Sequence, residues 1–275
     1  MYDYKPHIGT DVLRKVVRNM RDKIIEMGGE FRFQTCLTDL HIKNHHLVEI
    51  EVNGKEMIPC SNLVLAIGHS ARDTFQMILE KNINMSAKPF ALGVRIEHSQ
   101  SMINESQYGM KSHAKLAPAS YKLTYTTTSG RGVYSFCMCP GGYVVNASSE
   151  DGLLAINGMS NYNRESENAN SAIVVSVKPE DFGNNVLDGM AFQRKLERLA
   201  FLEGNGNIPI QCYRDFKENK VTTKLGTVKP IFKGNYQFSN LNHILPRFVS
   251  ESLMEGIEYF GTKIKGYNDG DSVMA

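Results

Sequence analysis

Residues Pro89–Glu97, PFALGVRIE, divide the chain into two patterns. The run Phe90–Glu97 predicts a strand, and the segments after it predict more short strands separated by Gly and Pro turns. Helical periodicity returns only at Leu187–Leu202 and Arg247–Lys263, which predict two long helices. The other predicted strands are Tyr121–Thr128, Val133–Met138, Tyr143–Ala147 and Ala172–Val177.

The segment before Pro89 follows a different order, in which a helix comes first. Thr10 is a favoured N-cap residue, the apolar residues after it recur at helical spacing, and Gly28-Gly29 ends the helix. Three short strands separated by polar turns then predict an antiparallel meander. These strands are Phe31–Thr35, Leu37–Ile42 and Leu47–Val52.

A continuous apolar run, Leu63–Ile67, leads directly into Gly68. A run of this length predicts a strand buried on both faces. A glycine at its end would let the backbone approach a ligand closely, or would simply turn the chain into the next helix. That helix is predicted from Ala71 to Glu80, with Ser70 as its cap.

The two patterns together predict a fold of α+β (mixed α/β) class in three parts. Residues 1–88 are expected to be part of an α/β domain with a helix, a meander and a buried strand. Residues 89–265 are expected to form a mostly antiparallel β domain with two long helices. Residues 266–275 are polar and contain glycine, and they are expected to be a flexible tail.

Composition and charge argue against several classes of protein. The formal net charge is only +2 and the basic residues are dispersed, so no nucleic-acid partner is expected. No apolar run approaches the roughly 18 residues of a membrane helix, and no secretory signal begins the chain. The five cysteines predict free thiols in a cytoplasmic protein. No metal site is expected, because the His and Cys residues lack ligand spacing.

The segment Cys137-Met138-Cys139 carries the most reactive side chains of the sequence. Strand geometry would put both thiols on one face, and Arg131 on the same hairpin could favour their thiolates. Cys137, Cys139 and Arg131 are therefore candidate catalytic residues. The alternative is that both thiols are small packing groups, because their spacing is not the CxxC of disulfide exchange.

Two sets of polar residues are candidates for ligand binding. His7, Gly9 and Thr10 lie at a helix N-terminus, where free N–H groups suit an anion, although capping by Thr10 alone would also explain them. The loops around the predicted strands could bind a polar substrate, or could be solvated structure. The candidate substrate-binding residues are Arg95, Gly141, Gly142, Arg164, Ser166, Asn168 and Asn170.

Four spaced segments of the chain carry a family resemblance. They are Lys5–Asp11 (KPHIGTD), Leu63–Thr74 (LVLAIGHSARDT), Gly130–Val145 (GRGVYSFCMCPGGYVV) and Gly158–Ala172 (GMSNYNRESENANSA). Together they resemble the uncharacterised bacterial FAD-dependent dehydrogenases. The FAD domain of that family resembles the domain of glutathione reductase-type flavoproteins.

The resemblance implies an FAD cofactor and cofactor-binding residues. These residues would be His7, Gly9 and Thr10 beside its nucleotide half, together with Gly68, His69, Ser70 and Arg72. Full-length members begin with a GxGxxG unit that holds the FAD phosphates, and this sequence has no such motif. They also continue into a C-terminal segment that closes over the flavin. The chain is therefore expected to be an internal fragment that does not retain FAD by itself.

The expected function is that of a fragment of an FAD-dependent oxidoreductase. The chain would form the substrate-domain side of the flavin cleft, and the small-molecule substrate is not identified. The alternative is a non-catalytic binding or interaction domain on a flavoprotein scaffold, because a fold does not imply a function. A tRNA-modifying relative is disfavoured by the weak basic character. Apolar surface left by the incomplete FAD domain predicts a homodimer.

Overall fold

The computed structural model describes residues 7–275. The helices are α1 (Thr10–Glu26), α2 (Arg72–Glu80), α3 (Gln100–Tyr108), α4 (Pro179–Phe182), α5 (Asp188–Glu203), α6 (Tyr213–Lys217) and α7 (Arg247–Gly261). The strands are β1 (Leu37–Lys43), β2 (His46–Val52), β3 (Glu56–Pro59), β4 (Phe90–Ser99), β5 (Thr124–Thr126), β6 (Gly132–Cys139), β7 (Tyr143–Asn146), β8 (Ile156–Met159), β9 (Asn168–Val177), β10 (Ile208–Cys212), β11 (Phe232–Lys233), β12 (Tyr236–Phe238) and β13 (Val273–Met274). This mixture of helices and mainly antiparallel strands confirms the α+β class.

Strand β4 lies at the centre of the larger sheet, whose order is β12-β10-β13-β4-β9-β6-β5. Its side chains alternate between the two faces, as the pleat of a strand requires. Val94 and Ile96 face the main hydrophobic core, which α7 covers. Arg95 and Glu97 point to the other face, against the small sheet β11-β7-β8 and helix α5. The residues that carry chemistry therefore lie on the face away from α7.

The first part of the chain contains α1, α2 and a separate three-stranded antiparallel sheet in the order β1-β2-β3. The predicted meander is correct in topology but wrong in one strand. Phe31–Thr35 is not a strand, and the third strand is instead β3. Asn53 and Gly54 both have positive φ and form the tight turn that pairs β3 with β2. The turn residues, more than the apolar content, locate the third strand.

The prediction of a buried strand at Leu63–Ile67 is wrong for this structure. The segment belongs to no strand, Val64 is 89% exposed and Leu65 is 41% exposed. A strand buried on both faces needs neighbouring strands and covering layers. Among residues 7–275, no strand pairs with this segment, so its side chains remain in contact with solvent.

The prediction of a flexible tail at residues 266–275 is also wrong. β13 lies between β10 and β4 in the larger sheet, and Ala275 exchanges backbone hydrogen bonds with Arg95. Tyr267 and Val273 are fully buried. The polar and glycine residues before β13 form turns that lead the chain back into the sheet.

None of the helices in residues 7–275 has both the length and the apolarity that crossing a bilayer requires.

Candidate functional site

A turn at Gly141-Gly142 brings three distant segments together through backbone hydrogen bonds. Gly141 N donates to Gln100 Oε1 at 2.7 Å, and Ser166 N donates to the Gly141 carbonyl at 3.1 Å. Gly142 N donates to the Asn168 carbonyl at 2.9 Å. Two resembling segments, 130–145 and 158–172, are thus joined at their polar residues.

Gly141 has to be glycine at this turn. Its φ is +48°, and an added Cβ would collide with the backbone of Arg164. Ser160 Oγ donates to the Pro140 carbonyl at 2.9 Å, which fixes the loop on its other side. Arg164 itself has a positive φ, and its buried Nε has no hydrogen-bond partner among the described residues. The turn and the 158–172 segment are therefore fitted closely to each other.

Arg95 lies below this turn with only 4% of its surface exposed. Its Nε donates to Asn170 Oδ1 at 2.8 Å, and its Nη2 donates to the Cys137 carbonyl at 2.7 Å. Nη1 reaches Asn157 Oδ1 only at 3.5 Å, beyond the usual N–H···O range. The oxygen atoms around the guanidinium are all neutral amide or carbonyl oxygens, and no carboxylate among the described residues lies within ion-pair distance of Arg95. Burial lowers the pKa of this guanidinium, which still remains charged at neutral pH.

Glu97 is two residues further along the same face of β4 and was missed by sequence reasoning. It is 1% exposed and accepts a hydrogen bond from Ile231 N at 3.1 Å. Burial raises the pKa of Glu97 to about 8. The carboxyl is therefore mostly protonated at neutral pH and does not neutralise Arg95. The alternation of β4 could have indicated Glu97, because it must share a face with Arg95.

The two cysteines do not form the pair that regular strand geometry predicts. Strand β6 contains a bulge between Phe136 and Cys139, and Cys137 has a φ of +44°. The extra residue interrupts the alternation that would put both thiols on one face. Cys137 is exposed and Cys139 is partly buried.

Arg131 does not accompany the cysteines, contrary to expectation. It forms a bidentate ion pair with Asp181 and lies 4.2 Å from the centre of the Phe248 ring. The cation next to Cys139 is Arg95, with Nη2 at 3.7 Å from Sγ. Burial raises the pKa of Cys139, although Arg95 partly opposes this effect. The thiolate is therefore not favoured, which supports the packing alternative over a redox pair.

The start of α1 meets the same polar region from the other side. His7 Nε2 lies 3.0 Å from the Asn161 carbonyl, and both the backbone N and the hydroxyl of Thr10 donate to the Ser160 carbonyl. Asp11 Oδ1 accepts from Tyr162 N at 2.8 Å. A Cβ on Gly9, which has a φ of +81°, would collide with the Tyr162 backbone. The first backbone N–H group of α1, on Thr10, is therefore used to hold the loop and is not free for an FAD phosphate.

Arg72 is likewise not a free cation. Its guanidinium is 2% exposed and is bonded to Glu197 at 2.6 and 2.9 Å and to Glu150 at 2.7 Å. Ser70 does not cap α2, since Ala71 is the N-cap residue and no side chain caps the helix. Arg72 instead connects the first part of the chain to α5 and to the loop that follows β7.

Gly68 and His69 are exposed, and Ser70 is half-buried. Gly68 has a φ of +66° and open space where a Cβ would be. The hydroxyl of Ser70 is 3.2 Å from Nδ1 of His69, its neighbour. Two of the groups expected to meet FAD, the Arg72 guanidinium and the backbone N–H of Thr10, therefore already have partners among the described residues. Residues 7–275 also hold no cluster of three His, Cys, Asp or Glu side chains suited to a metal ion.

Comparison with known proteins places this geometry in a family. Residues 89–275 match the family model described as "FAD-dependent protein, C-terminal domain-like". An uncharacterised protein of Clostridium beijerinckii is 51% identical over 278 residues, which cover 99% of this chain and 52% of that protein. The chain thus spans about half the length of the curated relative that it matches. Because the family match covers more than half of its residues, the chain belongs to the family of FAD-dependent proteins that have this C-terminal-like domain.

Proposed function

We propose that this chain is part of an FAD-dependent oxidoreductase and forms the substrate-domain side of its flavin cleft. In this proposal residues 89–275 bind the substrate, and residues 1–88 belong to an FAD domain that further chain completes. The family membership supports the flavin, and the length of the relative leaves room for the remainder of the FAD domain.

The observation that carries the proposal is the meeting of two segments about 150 residues apart in sequence. The first turn of α1, expected on the cofactor side, hydrogen-bonds to residues 160–162 of the loop expected on the substrate side. Gly158, which comes shortly before that loop, packs against the buried guanidinium of Arg95. A ligand held near Arg95 would therefore lie close to the boundary between the two parts, where flavoproteins of this kind bring cofactor and substrate together.

Bound FAD would supply the hydride or electron transfer, as cofactors generally carry the difficult chemistry. The residues of this chain would bind and orient the substrate. Arg95 would provide the positive charge, and the Gly141-Gly142 turn would provide a close-packed backbone. The small sheet and α5 would restrict access of water to this region.

A second candidate is a non-catalytic binding domain on the same scaffold. The specific observation in its favour is that Arg72 and the α1 N-terminus, both expected to contact FAD, are already bonded to other residues. In this case the chain would bind a ligand or a partner without a flavin reaction.

The absorbance spectrum of the longer protein separates these two functions. We expect the purified Clostridium beijerinckii relative to show the bands of oxidised flavin, and dithionite to bleach them. The present chain should be colourless after incubation with FAD and desalting, since charge-assisted contacts worth roughly 1.5–3 kcal/mol each are missing. A longer relative that stays colourless even after reconstitution with FAD would overturn the oxidoreductase proposal. Stoichiometric FAD on the present chain would contradict the expectation that this chain does not retain FAD by itself.

The exposed face of α1 gives a further prediction, because none of the described residues covers it. Leu13, Val17, Met20 and Ile24 lie along one side of α1 and are 46%, 56%, 61% and 45% exposed. Apolar surface of this kind drives association. We expect the isolated chain to form dimers or larger species in light scattering.

The matched control for this prediction lies on the same helix. Val17→Glu should shift the chain towards the monomer, whereas Asn19→Glu should not, since position 19 is about 200° away around the helix axis. Both substitutions add one negative charge, so the comparison isolates the apolar face. A wild-type chain that remains monomeric at high concentration would contradict the prediction.

A further inference from the structure

A cavity of about 310 Å³ lies between the central strands of the larger sheet and helix α5. Small residues form its floor: Ala91 and Gly93 on β4, and Ala172 on β9. Gly93 cannot carry a side chain, because a Cβ would collide with the Ile173 backbone on β9. The cavity is thus a consequence of small residues at successive positions on one sheet face. Its volume is within the range of small-molecule sites, roughly 300–1,000 Å³.

Most of the cavity wall is apolar. Of the two charged side chains in it, one has a counter-charge and the other does not. Leu196 and Ala200 of α5 form the side opposite the sheet, with Leu154 and Leu241 beside them. Two charged side chains, those of Arg95 and Glu197, also line it. Glu197 is neutralised by its two hydrogen bonds from Arg72. Arg95 has only neutral side-chain and carbonyl partners, so the uncompensated side-chain charge of the cavity is positive.

Two features of the cavity, the uncompensated charge of Arg95 and the empty apolar space, cost free energy when no ligand is bound. A buried guanidinium without a counter-charge is strongly disfavoured, and Glu97 on the same strand face does not ionise at neutral pH to supply one. An apolar cavity loses dispersion contacts on its lining. A ligand with an apolar body and one negative head group would relieve both costs. A carboxylate fits the planar fork of a single arginine, and Nη1 has donor capacity left.

We propose that this cavity binds a small monocarboxylate with an unbranched apolar body, whose carboxylate meets Arg95. The claim that this ligand is the oxidoreductase substrate rests on the proposed function. The claim that the cavity binds a monocarboxylate concerns this chain alone and does not depend on the flavin. Binding is therefore measured without FAD, while the flavin is tested by the spectrum of the longer protein. If this chain does not bind the monocarboxylate, the flavin result still stands, and if the longer protein has no flavin, the binding result still stands.

The experiment is isothermal titration calorimetry of this chain with octanoate, octanol, octylamine and octyl phosphate. Octanoate should bind, because its carboxylate makes a charged hydrogen-bonded contact with Arg95. Octanol lacks the charge and should bind at least about tenfold more weakly. Octylamine carries the same charge sign as Arg95 and should not bind. Octyl phosphate should be weaker than octanoate, since one arginine leaves part of its charge unmatched. Equal binding of octanol and octanoate, or no octanoate binding, would overturn the proposal.

Two variants and a control locate the site. Arg95→Gln should weaken octanoate binding by about 10- to 100-fold. Arg198→Gln is the matched control and should leave it unchanged, because Arg198 lies on α5, which forms one wall of the cavity, but is itself exposed and outside the cavity. Ala172→Leu keeps Arg95 and fills the cavity, so it should abolish binding even if Arg95→Gln fails to fold. Unchanged octanoate affinity in folded Ala172→Leu would place the ligand elsewhere and overturn the proposal.

Discussion

Replacement of Arg72 by alanine should lower the free energy of unfolding by about 3 kcal/mol. Its guanidinium is 2% exposed and holds Glu197, which is 17% exposed, and Glu150, which is 30% exposed. Removing the cation takes away the ion-pair partner of Glu197, whereas Glu150 keeps Arg194 at 3.0 Å, and a buried charge without a partner is strongly destabilising. Because Arg72 connects α2 to α5, the first part of the chain should also become more sensitive to proteolysis. Urea unfolding and limited trypsin digestion measure the two effects.

Two comparison variants isolate the ion pair in this experiment. Arg247→Ala removes an arginine whose side chain is 91% exposed and pairs with Glu251 one turn away, so it should cost less than about 1 kcal/mol. Arg72→Met combined with Glu197→Leu replaces both charges by apolar groups and should recover part of the loss. If the double variant is no more stable than Arg72→Ala, the lost stability does not come from an unpaired carboxylate.

The second large effect is a fall in stability between pH 6.5 and 8, with Glu97 as its cause. The unfolded chain releases the Glu97 proton near pH 4.5, whereas the folded chain holds it until about pH 8. Between these values the folded state binds more protons, so raising the pH favours unfolding by about 1.4 kcal/mol per unit. His98 has the opposite effect, because burial lowers its pKa from 6.5 to about 4. The two slopes cancel between pH 4.5 and 6.5, and only that of Glu97 continues above pH 6.5.

The expected profile is therefore flat near pH 5–6 and declines by about 2 kcal/mol from pH 6.5 to 8. Glu97→Gln should abolish this decline, since glutamine has no proton to lose. Glu251→Gln changes an exposed carboxylate on α7 and should keep the wild-type profile. Urea titrations at several pH values give the free energies directly. A decline that persists unchanged in Glu97→Gln would assign it to other groups.

Long, regular segments of the fold could be predicted from the sequence because their signals are local. Helices α5 and α7 and strand β4 begin within a residue of the expected positions. Their periodic apolar residues indicate both the element and the face that it buries. The short elements β8, β10 and β13 were missed, since two to five residues carry no measurable period. β10 is nonetheless completely buried, because neighbouring strands, rather than its own pattern, make it a strand.

The candidate site, too, could be predicted only in part from the sequence. Gly141 was chosen as a tight turn near a ligand, and the polar cluster before an apolar strand was chosen as a possible substrate loop: Arg164, Ser166, Asn168 and Asn170. The structure does bring these residues together with Arg95. Their role in substrate binding stays a prediction. The electrostatics were not predictable, because they depend on which groups remain uncompensated after folding. Glu97 illustrates this point: the same carboxyl would be an ordinary ionised group on an exposed strand.

The sequence by itself determined the α+β class, the change of pattern at Pro89 and the relationship to FAD-dependent proteins. These depend on periodicity, turn residues and motifs, which are properties of neighbouring residues. Only the tertiary structure decided which charged side chains are paired with an opposite charge and which are not. Arg72 and Arg131 each meet carboxylates far away in the sequence, whereas Arg95 meets none in the described chain. The physical reason is that a charge's partner and its dielectric surroundings are set by contacts between distant segments, and no local pattern records these contacts.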